Sequence, residues 1–167
     1  MLDVVREPLS VEAVTDYRSN GTVEIDFPDF DLKAYLHGYV WEADERPTNH
    51  IINIDEDWGI KLHWGLRGKW ARVLCGYWCV GAHFESIGPG PEFRLPAEKD
   101  DLIPIDPCGT LRYEHNFRVP ARFVKPTYCS SVYKVVLTLT YRTHCKKPGP
   151  IAGNYKLPML QFYQTAV

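Results

Sequence analysis

Histidine and acidic side chains in the middle of the chain are the first candidates for chemistry. His63 and His83 could approach each other across a predicted hairpin, with Glu85 beside one of them, and such a cluster could act as a general acid and base. No G-x-S-x-G, H-E-x-x-H, Walker A or G-x-G-x-x-G motif accompanies them. An enzyme that uses these three residues is therefore the third of three functional hypotheses, and a structural role for both histidines in a sheet is the simpler interpretation.

Three potential zinc ligands, Cys75, Cys79 and His83, recur at intervals of four residues. On a β-strand such residues lie about 13 Å apart. A zinc ion binds its ligands at about 2.0 to 2.3 Å, so it cannot join them. A helix would bring them together, but Gly76 and Gly81 stand among aromatic and β-branched residues that favour a strand. We therefore interpret the cysteines as thiols of a sheet.

Acidic side chains gather in two predicted loops, with Asp26, Asp29 and Asp31 in the first and Asp55 and Asp57 in the second. Calcium binds six to eight oxygens from carboxylates and loop carbonyls, so a calcium site at the ends of strands is one interpretation. Acids that serve only as solvated turn formers are the alternative. No cofactor is expected apart from this possible calcium ion.

Basic residues dominate the second part of the chain. Residues 1–57 carry 14 acids and 4 bases, whereas residues 58–167 carry 7 acids and 15 bases. Arg112, Arg118, Lys134 and Arg142 point outward on two predicted strands, and a strip of such cations could hold phosphates. The pI near 6.3 is well below that of a typical nucleic-acid module, so a nucleic-acid partner is not expected. The favoured interpretation is that the acidic and basic parts neutralise each other in one assembly.

The chain has more aromatic side chains than the interior of one sandwich would readily bury. Tyr35, Tyr39, Trp41 and Tyr77 could form a patch outside the core, and exposed aromatic patches usually bind a protein partner, a second subunit or a sugar. The first hypothesis is therefore a non-enzymatic protein-interaction or self-assembly module. The second is a sandwich that binds a carbohydrate or another small ligand with the help of calcium at the acidic loops.

Alternating apolar residues predict the strands that must position these groups. Residues 58–86 predict a long β-hairpin that turns at Gly68, with the even-numbered tryptophans in the core. Leu111 to Val119 and Val132 to Thr143 alternate most clearly. The proline-rich residues 87–107 predict a long crossing loop with at most one short edge strand, and a last strand is expected near Met159 to Gln164.

These patterns predict a single all-β domain over residues 1–167: an antiparallel, Greek-key-like β-sandwich of seven to nine strands. Pro8 to Tyr17 is the one plausible helix, and it is short. The chain shows no apolar run long enough to cross a membrane and no secretory signal, so a cytoplasmic protein is expected, although a mature secreted chain would look the same. The five cysteines predict thiols, with one bridge among Cys108, Cys129 and Cys145 as the alternative.

Overall fold

The part of the chain that the structure describes folds from β-strands alone. The structure is a computed structural model, and it describes residues 21–26, 31–43, 46–96, 101–125 and 131–165. Eleven strands follow one another along these residues: β1 (Thr22–Ile25), β2 (Lys33–Glu42), β3 (Arg46–Pro47), β4 (Ile51–Asn53), β5 (Trp58–Arg67), β6 (Tyr77–Ser86), β7 (Phe93–Leu95), β8 (Asp101–Pro104), β9 (Arg112–Val119), β10 (Ser131–Arg142) and β11 (Pro148–Tyr163).

The strands form two sheets. Sheet A has seven strands in the order β1-β11-β10-β6-β7, with β4 beside β11 and β8 beside β6, and sheet B has the order β3-β2-β5-β9. Every pair is antiparallel except β4 with β11. The prediction of an all-β antiparallel sandwich is confirmed. The sandwich has more strands than the seven to nine expected. The additional strands are short, with two to four residues each, and lie in segments whose sequences resemble loops: β3, β4, β7 and β8.

The core lies between the sheets, and every second residue of the long strands fills it, as the alternation predicts. Trp64 of sheet B and Trp78 of sheet A meet there edge to face, with ring centroids 6.5 Å apart. The largest fully buried side chains come from both sheets: Trp58, Trp64, Trp78, Tyr133 and Phe162.

The predicted hairpin over residues 58–86 is wrong. β5 pairs with β2 and β9 in sheet B, whereas β6 pairs with β10, β7 and β8 in sheet A. Gly68 turns the chain with φ at +109°, but residues 68–76 then lead from one sheet to the other. Both strands bury their even-numbered residues, so their apolar faces pack against each other across the core instead of lying side by side. Trp70, expected inside, lies in this connection and is 42% exposed.

The proline-rich segments contain more strand than expected. β11 runs over 16 residues and includes Pro158, because the register between β10 and β11 shifts between Tyr133 and Val135. A residue in a bulge does not have to donate a hydrogen bond to the neighbouring strand, so a proline, which has no N–H group, can be accommodated there. Within the predicted crossing loop, β7 and β8 both pair with β6. The predicted helix from Pro8 to Tyr17 lies outside the described residues.

No helix of the described residues is long and apolar enough to cross a membrane.

A side-chain contact links β9 of sheet B to β8 of sheet A. His115 on β9 places Nε2 3.0 Å from a carboxylate oxygen of Asp101 on β8. Burial lowers the pKa of His115, and the Asp101 carboxylate opposes that shift without reversing it. His115 is therefore predominantly neutral at pH 7 and accepts or donates as a hydrogen-bonding group.

Candidate functional site

The outward face of sheet B collects aromatic and cationic side chains from three strands. The pairing of β2, β5 and β9 places the odd-numbered residues of β2 and β5 and the even-numbered residues of β9 side by side on this face. We call it the aromatic-basic face, and its members are Lys33, Tyr35, His37, Tyr39, Trp41, Gly59, Lys61, His63, Gly65, Arg67, Arg112, Glu114, Asn116 and Arg118.

Two aromatic rings lie flat over glycines of β5. A Cβ atom at Gly65 would meet the Tyr35 ring, and one at Gly59 would meet the Trp41 ring, so both glycines leave room for the ring of their cross-strand partner. Arg67 lies over the Tyr35 ring, with its guanidinium carbon 5.7 Å from the ring centroid. The Tyr35 and Trp41 rings therefore occupy the space above these two glycines that a Cβ atom would fill.

Trp41 is the anchored member of the predicted aromatic patch. Its Nε1 donates a hydrogen bond to Oδ1 of Asn116 at 2.7 Å, and the Arg118 guanidinium lies 5.4 Å from its ring. Only 3% of Trp41 is exposed although it is on the outward side of the sheet. Trp41 therefore holds Arg118 in place and offers little ring surface of its own.

The middle of the face holds a stacked pair of rings. Tyr39 and His63 lie 5.8 Å apart between centroids with an angle of 21° between their planes, and both are partly exposed. His37 lies beside His63 in the register and also contacts Tyr39. His37 is tilted by 39° from Tyr39 and meets Tyr155 of sheet A edge to face at 5.3 Å, so the nearly parallel, partly exposed rings of the face are those of Tyr39 and His63.

Burial keeps the two histidines of this face neutral. Burial is the largest effect on His63 and lowers its pKa, and the positive charge of Lys61 lowers that pKa further. The Glu114 carboxylate, 3.8 Å from Nδ1 of His63, opposes the shift without reversing it. Burial also lowers the pKa of His37, and the neighbouring His63 adds to the shift. Both rings are therefore predominantly neutral at pH 7 and become charged in more acidic solution.

The face carries five cationic side chains and one carboxylate, that of Glu114. Lys33 and Arg67 stand directly opposite each other, and Arg112 lies beside Gly65, one step along the sheet. No carboxylate of the described residues is within ion-pair distance of these three exposed cations. The five cations are Lys33, Lys61, Arg67, Arg112 and Arg118.

The predicted basic strip is wrong in its composition. Arg112 and Arg118 belong to the aromatic-basic face of sheet B, but Lys134 and Arg142 lie on β10 in sheet A. The two predicted strands are therefore not neighbours, and the partners of Arg112 and Arg118 are cations of β2 and β5 that the sequence did not single out.

The predicted aromatic patch is divided between the two sheets. Tyr35, Tyr39 and Trp41 share the aromatic-basic face, whereas Tyr77 begins β6 and pairs with Arg142 and Pro104 in sheet A. A single patch of all four residues does not form, because the chain crosses to the other sheet between β5 and β6.

The predicted acid-base cluster does not form either. His63 faces outward from sheet B, while His83 is an exposed residue of β6 in sheet A, where its Nε2 lies 3.2 Å from Oγ1 of Thr138. Glu85 pairs instead with Lys134 at 3.8 Å. The two histidines are on opposite outer sides of the sandwich and cannot act on one substrate together.

His83 and Glu85 border a shallow, open depression of about 380 Å³ on sheet A, together with Glu92, Arg94 and Lys134. Its lining includes two acids, Glu85 and Glu92, and two bases, Arg94 and Lys134, so it has no strong preference for a ligand of either charge. It offers no second histidine to complete an acid-base pair.

The acids of the predicted calcium site that the structure describes lie far apart. Asp31 precedes β2 near the end of β5, where its Oδ2 accepts a hydrogen bond from the backbone nitrogen of Lys69. Asp55 and Asp57 precede the start of β5, about 30 Å away along the strand. Asp55 pairs with Arg122 at 3.1 Å, and Asp57 accepts a hydrogen bond from the backbone nitrogen of Ala121.

The two acidic loops therefore cannot share one ion. Asp26 follows β1 in sheet A and is exposed, and Asp29 lies outside the described residues. Among the residues that the structure describes, no three histidine, cysteine or acidic side chains come together as metal ligands.

Comparison with known proteins finds no family model, curated protein or solved structure that matches this chain. The function is therefore inferred from the geometry and charge of the aromatic-basic face.

Proposed function

We propose that the protein is a non-enzymatic binding module that holds a negatively charged partner on its aromatic-basic face. The observation that carries the proposal is the placement of Lys33 opposite Arg67, with Arg112 beside them and no described carboxylate paired to any of the three. Like charges directly across a strand pair destabilise a sheet. An anionic partner would relieve this repulsion.

The charge of the face also bears on the kind of assembly. Two copies of the aromatic-basic face would bring together ten cations and two carboxylates, so this face does not favour pairing with itself. Among the described acids, Glu114 lies on the same face as the three cations and Asp31 lies two residues before Lys33. Each already has a contact of its own, Glu114 with His63 and Asp31 with the backbone of Lys69. The partner is therefore a different molecule that supplies the missing negative charge.

The test uses immobilised heparin, a sulfated polysaccharide, as a polyanion probe at pH 7.4. The protein has a net charge of −2, but we expect the column to retain it through the aromatic-basic face. The variant Arg67→Glu/Arg112→Glu should elute at clearly lower salt. Lys134→Glu/Lys156→Glu is the matched control, because it makes the same charge change on strands of sheet A and should elute like the wild type.

A wild-type protein that passes through the column would contradict the proposal. So would an equal loss of retention in both double variants, since that result would show a dependence on net charge and not on the aromatic-basic face.

We also propose a cytoplasmic location. Cys75, Cys79, Cys108 and Cys145 are free thiols, which is typical of a reducing compartment. The alternative of a bridge between Cys108 and Cys145 is thereby not supported, and Cys129 lies outside the described residues.

A further inference from the structure

We propose that the partner held by the aromatic-basic face is single-stranded nucleic acid; this inference rests on the proposed function. The low pI of the whole chain argues against a nucleic-acid partner, but the pairing of β2, β5 and β9 concentrates cations from distant parts of the sequence on one surface. It is the charge of this surface, and not that of the chain, that a bound strand meets.

Planar groups on the face distinguish a nucleic acid from other polyanions. Tyr39 and His63 form a nearly parallel, partly exposed pair, and Tyr35 lies flat over Gly65 beneath Arg67. Unpaired bases stack on such aromatic rings and on guanidinium planes. The carboxylates of an acidic peptide would need only the cations and would leave the rings without a role.

The cations lie on both sides of these rings. Lys33, Arg67 and Arg112 surround Tyr35 at one end of the face, and Arg118 lies over Trp41 at the other end. Lys61 stands between them, opposite Tyr39. From Lys33 to Trp41 the strand β2 spans about 26 Å. An extended strand on this surface can place its phosphates on cations and its bases on rings along the same path.

The shape of the face favours a single strand over a duplex. The described residues contain no helix that could enter a major groove from this face. The bases of a duplex are stacked inside it and cannot reach rings that lie flat along a sheet, whereas the bases of a single strand can turn toward them.

Fluorescence anisotropy with labelled 12-mers of dT and of U tests the inference, with the corresponding 12-base-pair duplex and a heparin fragment as comparison probes. We expect the single strands to bind more tightly than the duplex. Tyr39→Leu should weaken single-strand binding about 5- to 150-fold, the range that stacking of one base gives, and should weaken heparin binding by a smaller factor because heparin has no base to stack. Tyr39→Phe keeps the ring and should bind the single strands like the wild type.

The outcomes separate the two proposals. If Tyr39→Leu binds the single strands as tightly as Tyr39→Phe does, or if the duplex or heparin binds more tightly than both single strands, the nucleic-acid inference is wrong while the proposed function stands. If none of the probes binds, or if Arg67→Glu/Arg112→Glu binds all of them as the wild type does, the proposed function itself is wrong. Tyr39→Phe controls for folding, and a thermal melt of each variant accompanies the titrations.

Discussion

The salt dependence of oligonucleotide binding offers a quantitative test of how many cations act together. For a single strand, the logarithm of the binding constant falls with the logarithm of the salt concentration with a slope of about −0.7 for each cation that contacts a phosphate. The five cations of the aromatic-basic face set an upper limit of about −3.5 for this slope. The affinity for dT12 should therefore fall by up to about 100-fold between 50 and 200 mM NaCl.

Neutralising two of these cations should reduce the slope by a defined amount. In Arg67→Gln/Arg112→Gln three cations remain, so the limit becomes about −2.1 and the loss of affinity over the same range about 20-fold. The assay is fluorescence anisotropy at four or more salt concentrations, with Lys134→Gln/Lys156→Gln as the matched control on sheet A. A slope that is the same in the two double variants would refute the assignment of phosphate contacts to Arg67 and Arg112.

Two further predictions concern stability. Burial lowers the pKa of His37, His63 and His115 in the folded state, so the unfolded chain binds more protons in acid. The stability that depends on these neutral histidines is fully present above about pH 6.5, the pKa of the unfolded state, and decreases as the pH falls below it. The thermal midpoint should therefore be lower at pH 5.5 than at pH 7.5. A midpoint that is equal or higher at pH 5.5 would count against these shifts. Trp64→Leu should lower the free energy of unfolding, measured in urea, by about 2 kcal/mol or more because Trp64 fills the core. Trp70→Leu, in the exposed connection, should change this free energy by less than about 1 kcal/mol. Equal effects of the two substitutions would contradict the topology between β5 and β6.

The inward residues of the fold could be predicted from the sequence because they depend only on alternation within a strand. Ile60, Leu62 and Trp64 share a face whether their neighbour is the next strand in the chain or a distant one. The strand that contains Pro158 does not follow from alternation, because Pro158 is allowed in β11 only through a bulge whose position depends on β10.

The candidate site could be predicted only in part because it is a property of strand neighbours. Alternation places Tyr35, Tyr39 and Trp41 on one side of β2, but it does not show that Asn116 and Arg118, more than seventy residues later, contact Trp41. Tyr77 lies on the other sheet because residues 68–76 cross from one sheet to the other, and alternation within a strand gives no sign of that crossing. Periodicity indicates which face a residue occupies, and the pairing that completes a surface comes from the tertiary fold.

Chemical-shift mapping of the amide signals during titration with dT12 tests the central claim most directly, because it locates the bound strand on the protein. The largest shifts should fall on β2, β5 and β9, around Tyr35, Tyr39, His63 and Arg112, with little change on β6, β10 and β11. Shifts that concentrate on those strands of sheet A, or no shifts at all, would contradict the assignment of the aromatic-basic face as the binding surface.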